Sequence, residues 1–213
     1  LGREHSDVAT GLNNLANLYY AQAQYEAAEP LYQRVLAIRE KALGPEHPDV
    51  ATSLYSLAEL YHSQGKFEAA EPLHQRALAI REKALGPKHL DVATSLNKLA
   101  DIYGHLGKYE AAEPLHQRVR AIWEKALGPE HPDVATSLNN LAELYRAEAK
   151  YKAAEPLYRR ALAIREKALG ADDLNVAIVL EGYAALLRQT NRQATAKKLE
   201  ARAQAIRAKQ QKE

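Results

Sequence analysis

Residues 43–84 read LGPEHPDVATSLYSLAELYHSQGKFEAAEPLHQRALAIREKA, and residues 127–168 repeat that line with ten substitutions. The phrase Asp-Val-Ala starts at Asp7, Asp49, Asp91 and Asp133, each 42 residues after the last, and Asn175-Val176-Ala177 falls on the same step. A fixed period of this length marks a stacked-repeat architecture, in which one supersecondary unit recurs and neighbours bury each other's apolar faces.

Within a unit, Val50, Leu54, Leu57, Ala58 and Tyr61 recur at steps of three and four, which predicts a helix over about 49–64. Gln64-Gly65-Lys66 breaks the pattern, and Ala70, Leu73, Ala77, Ile80 and Ala84 predict a second helix that stops at Gly86-Pro87. Glycine there is expected in a left-handed cap, and proline cannot continue the helix; Gly44-Pro45 and Gly128-Pro129 repeat the signal. Asp49 and its equivalents are expected to cap the first turn of the first helix, at the positive end of its dipole. Pro30, Pro72, Pro114 and Pro156 fall about one turn into the second helix, where each removes at most one early hydrogen bond. Ala16, Ala58, Ala100 and Ala142 on first helices, with Ala28, Ala70, Ala112 and Ala154 on second helices, allow close approach.

The expected domain is thus one all-α solenoid of repeats 1–42, 43–84, 85–126, 127–168 and 169–213. The fifth is degenerate. Gln193 replaces Tyr25, Phe67, Tyr109 or Tyr151, Lys198 replaces the proline, and Arg207 to Glu213 is polar apart from alanine, as suits a solubilising cap. Leu1-Gly2 aligns with Leu43-Gly44 and methionine is absent even from position 1, which suggests a processed chain or an excised piece.

Composition narrows the function classes. The 29 basic and 27 acidic residues spread along the chain leave a formal charge of +2, with no basic stripe for nucleic acid or anionic lipid. No apolar run approaches a membrane span and no signal peptide opens the chain, so a soluble, cytoplasmic protein is expected. Cysteine is absent, which excludes disulfides and thiolate chemistry.

Leu12, Leu15, Ala16, Tyr19, Ala28 and Tyr32, with their equivalents in later units, resemble the tetratricopeptide pattern. The 42-residue step and the phrases Ala-Ile-Arg-Glu-Lys-Ala-Leu-Gly-Pro-Glu-His-Pro-Asp-Val-Ala and Leu-Asn-Asn-Leu-Ala are similar to the kinesin light chain subclass. The resemblance implies a right-handed superhelical solenoid whose first helices line a concave groove that binds an extended peptide of a protein partner. An alternative of another class is a structural or regulatory array that self-associates end to end or controls a fused effector.

Residues in every unit serve the scaffold, whereas those that break the period are free to serve a ligand. His5, His47, His89 and His131 occupy one loop slot per unit and cannot converge on a metal; His74 and His116 replace Tyr32 and Tyr158 and are expected half-buried. No metal, cofactor or catalytic set is expected, because no nucleophile–base pair, phosphate loop or convergent carboxylate pair appears. Positions 13, 17 and 20 of the first helix lie opposite its apolar stripe and vary from unit to unit: Asn13, Asn17, Tyr20; Tyr55, Glu59, His62; Asn97, Asp101, Gly104; Asn139, Glu143, Arg146; and Glu181, Ala185, Arg188. The expected peptide site draws on these, with Asn13, Asn97 and Asn139 as carboxamides that pair with peptide backbone. Glu59, Asp101 and Glu143 are expected to repel anions, which favours an internal, extended segment that is neutral or basic. Trp123 stands where Arg39, Arg81 and Arg165 stand, and Arg120 where Leu36, Leu78 and Leu162 stand. The tryptophan is either a local exchange or an exposed contact anchor.

Overall fold

A computed structural model of the chain describes residues 6–210. Ten helices follow one another: α1 (Ser6–Ala21), α2 (Tyr25–Leu43), α3 (Pro48–Ser63), α4 (Phe67–Leu85), α5 (Leu90–His105), α6 (Tyr109–Leu127), α7 (Pro132–Ala147), α8 (Tyr151–Leu169), α9 (Leu174–Gln189) and α10 (Gln193–Gln210). No strand occurs among the described residues. Two helices per 42-residue step fit the five expected repeats. His5, the Leu1-Gly2 start and the last three residues of the polar tail lie outside the described residues.

The helices form two compact units, Leu1–Lys108 with α1 to α5 and Tyr109–Glu213 with α6 to α10. In the first, α1 packs on α2, α2 on α3, α3 on α4 and α4 on α5; in the second, α6 packs on α7, α7 on α8, α8 on α9 and α9 on α10. Each hairpin therefore lends a face to the next, as helices too short to stand alone require. Ala16, Ala28 and Tyr32 of one repeat enclose Leu57 and Leu60 of the following one in a shared cluster. Leu57, Leu99 and Leu141 are 4%, 4% and 2% exposed, but Leu15 in the same slot is 40% exposed and Leu18 53%, because no described helix covers the outer side of α1. All eight expected small residues are fully buried.

The caps differ from expectation in two ways. Asp49, Asp91 and Asp133 do stand in first turns, but the capping side chain is the preceding histidine: Nδ1 of His47, His89 and His131 accepts the N–H of Asp49, Asp91 and Asp133 at 3.1, 3.1 and 3.2 Å. Asp173 takes the slot in the last repeat, its Oδ1 accepting from Asn175 at 2.7 Å. At the other end, Gly44, Gly86 and Gly170 have φ of 88°, 83° and 89° with ψ near 155°, not the left-handed helical ψ. That combination is open essentially to glycine alone, which explains the glycine at each step.

The recurrent polar residues hold neighbouring repeats in register. Arg76 pairs with Glu40 and donates to the Pro45 carbonyl at 3.0 Å; Arg160 pairs with Glu124 and reaches Pro129, and Arg202 pairs with Glu166 and reaches Ala171. Tyr61 donates to Glu29 at 2.9 Å, Tyr145 to Glu113 at 2.8 Å and Tyr183 to Glu155 at 3.0 Å. Exposed ion pairs are individually weak, so their repetition acts on which face meets which rather than on total stability.

Three expectations about single residues change. His74 and His116 are fully buried, not half-buried, and Nε2 of His74 sits 3.4 Å from Glu59 Oε1. Trp123 is buried at 7% exposed, so it is no exposed anchor. Its slot faces inward in the first four repeats: Arg39 and Arg81 donate to Ser53 and Ser95, and Arg165, 6% exposed, bonds the Asn175 carbonyl and Thr136. The exchange with half-buried Arg120 is a local swap of apolar and basic groups.

Candidate protein-binding face

In the first unit, the variable positions of α1, α3 and α5 are half-buried apart from Asn17, and several meet side chains of neighbouring helices. Asn13 is half-buried and its Oδ1 finds no hydrogen-bond donor among the described residues. Asn17 is exposed and accepts from the Tyr32 hydroxyl at 2.7 Å. Burial pushes the pKa of that tyrosine up to about 12. Tyr20 shares a hydrogen bond of 2.8 Å with Ser63, and Tyr55 meets the His74 ring edge-on at 5.3 Å with the Arg81 guanidinium 4.7 Å from its own ring centre. Asn97 is half-buried.

The carboxylates of this face are already partnered. Lys98 Nζ donates to Glu59 Oε2 at 2.7 Å. Burial raises the Glu59 pKa, but His74 and Lys98 outweigh it and hold the carboxyl below its usual range. Asp101 Oδ2 lies 3.2 Å from His62 Nε2.

The second unit shows the same economy. Glu143 accepts from the Tyr158 hydroxyl at 2.7 Å and from Arg146 Nη2 at 2.6 Å. Arg188 forks onto Glu200, and Arg207 onto Glu181. Asn139, expected on the open face, is only 7% exposed, and its Oδ1 also lacks a donor among the described residues. The field that was to repel anions is therefore reduced within the fold: Glu59 and Glu143 are paired with Lys98 and Arg146, Asp101 faces the His62 imidazole, and Arg188 is engaged by Glu200. Only the Glu143–Arg146 pair, three residues apart on one helix, was open to a reading of the sequence; the other partners come from other repeats or from slots set aside as packing. What remains for a ligand is hydrogen bonding by carboxamides and hydroxyls and contact with tyrosine rings.

The model of the tetratricopeptide repeat matches residues 7–83, 64–119, 91–167 and 138–209. The chain belongs to the tetratricopeptide repeat family. Among solved structures it is similar to a Podosopora anserina protein described as a kinesin light chain with nearly identical TPR-like repeats. Identity is 29%, with 98% of this chain and 99% of that one covered and a TM-score of 0.81; a substituted form of that protein gives 0.83. It is also similar to BtubC (BKLC) from P. vanneervenii, at 27% identity over 97% of this chain and 82% of that one, with a TM-score of 0.82. MamA from Desulfovibrio magneticus RS-1, at 13% identity and a TM-score of 0.68, shares the fold. No curated protein matches the sequence. Tetratricopeptide arrays are in general protein-interaction scaffolds, and this one carries the kinesin light chain-like form of the repeat. No described helix is long and apolar enough to cross a membrane.

Proposed function

We propose that this tetratricopeptide array binds an extended segment of a protein partner along the first helices of its repeats, and that it works as a scaffold without catalysing a reaction. The observation that carries the reading is the pair of carboxamides Asn13 and Asn139, one in each unit, each with a side-chain oxygen that no donor among the described residues satisfies. A buried acceptor without a donor is costly, and an amide N–H of a bound strand relieves it once the carboxamide turns outward. Asn97 occupies the same slot in the third repeat and is assigned the same role. Tyr20 and Tyr55 add ring surface. Because the neighbouring carboxylates are internally paired, recognition rests on backbone and shape, and a strong preference between acidic and basic segments is not expected.

A peptide library titrated against the wild type and the Asn13→Ala, Asn97→Ala, Asn139→Ala triple variant tests this. Each replaced carboxamide should cost about 1 kcal/mol of binding with helicity unchanged. Equal affinity in the variant would remove the basis of the reading.

A further inference from the structure

Four residues that break the repeat period meet at one place in the first unit. His62 ends α3, Asp101 and His105 stand one turn apart at the end of α5, and Phe67, the chain's one phenylalanine, opens α4. The slots of His62 hold Tyr20, Gly104, Arg146 and Arg188 elsewhere, and those of His105 hold Ala21, Ser63, Ala147 and Gln189, so no scaffold requirement places imidazoles here. One ligand atom each from His62, Asp101 and His105 lies within 4.8 Å of the other two.

We propose that His62, Asp101 and His105 form a zinc site that bridges α3 and α5. Three observations support it. Two imidazoles and one carboxylate are the donor types a borderline divalent ion takes with three protein ligands, leaving a fourth position for water or a donor from a partner. The spacing suits it: donors about 2.0–2.1 Å from a tetrahedral ion stand about 3.3 Å apart, and His62 Nε2 to Asp101 Oδ2 is already 3.2 Å. The remaining edges, up to 4.8 Å, close by small torsional shifts of the exposed His105 that keep its ring against Phe67. Finally, His62 Nε2 is buried and makes no hydrogen bond of acceptable geometry, despite its closeness to Asp101.

The surroundings orient the donors and limit competing charge. The His105 ring stacks on Phe67 at 4.3 Å with planes 5° apart, and His62 meets Phe67 edge-on at 5.4 Å. Lys98, the nearby ammonium that senses Asp101, is held by Glu59. The slot that carries arginine in repeats four and five is Gly104 here, with nothing within 4 Å of where a Cβ would stand, so α5 sends no second cation toward the site.

Zinc alone is the probe, so the test stands apart from peptide binding. The full chain, stripped with a chelator, is titrated with zinc by calorimetry, and cobalt substitution reports four-coordinate nitrogen and oxygen ligation through its visible absorption. One ion per chain is expected, with His105→Ala and Asp101→Asn each weakening binding more than about 100-fold. His105 is exposed, so its loss leaves the fold intact, and circular dichroism of each variant checks this. No saturable zinc binding, or wild-type affinity in His105→Ala with the metal held by other histidines, would overturn the proposal.

Discussion

Arg192 grips Glu155 with both terminal nitrogens, Nη1 to Oε1 at 2.9 Å and Nη2 to Oε2 at 2.7 Å, and so ties the turn of the last repeat to the second helix of the one before. Lysine occupies the equivalent slot at Lys66, Lys108 and Lys150, and only the planar guanidinium engages both carboxylate oxygens at once. The Arg192 hydrogen bonds, helped by Tyr183, hold the Glu155 carboxyl at about 2 against a partial opposing effect of burial. A carboxylate whose pKa falls on folding contributes stability that is complete above its unfolded pKa and lost as pH falls through the folded one. The Arg192→Gln variant should therefore melt below the wild type at pH 7, by a difference on the order of 1 kcal/mol, and the gap should narrow between about pH 4.5 and 2. Parallel thermal melts across that range check it; a constant gap would show that Arg192 acts through packing.

Ala149 and Ala23 have φ of 57° and 56°, in the turn slot where Gly65 and Gly107 have 71° and 70°. A Cβ in the left-handed region costs on the order of 1 kcal/mol. The turn keeps the conformation because the next amide closes back on the helix, Lys150 N–H to Tyr145 O at 2.8 Å. Ala149→Gly should raise the urea midpoint by the equivalent of about 0.5–1 kcal/mol, since strain relief exceeds the added freedom of the unfolded chain. A lowered midpoint would contradict it.

Gly182 on α9 lets the Glu143–Tyr158 pair approach closely: a Cβ there would stand 2.2 Å from Glu143 Oε1 and 2.9 Å from the Tyr158 ring. The carboxylate can swing away, but Tyr158 is fully buried and cannot. Gly182→Ala should destabilise the second unit by about 1–3 kcal/mol through overpacking, despite the better helix propensity of alanine. Denaturant unfolding measures this, and a stabilised variant would refute the close fit.

The histidine caps predict an asymmetry between two substitutions. His131→Ala should cost about 1 kcal/mol, because the Asp133 N–H loses its acceptor, whereas His131→Asp should cost little, since Asp173 performs the same task in the last repeat. Equal losses for the two, measured by chemical denaturation, would mean that the imidazole matters for something other than capping.

The sequence by itself determined the helices and their stacking, because a helix announces its buried face through period and every repeat prints that period again. Ala16, Leu57 and Ala142 were legible as core for that reason, and so were the helix stops at Gly44 and Gly86. What only the tertiary structure decided was which side chains meet across repeats. His62 and Asp101 are 39 residues apart by number yet 3.2 Å apart in space, and Glu59 finds Lys98 at the same separation. Periodicity reports the environment of a slot averaged over the repeats; it carries nothing about pairs of residues that break it. The expected repulsive carboxylates therefore became partners in internal pairs, most of them with chain far away in the sequence, and Asn139 and Trp123 are buried to 7% exposure.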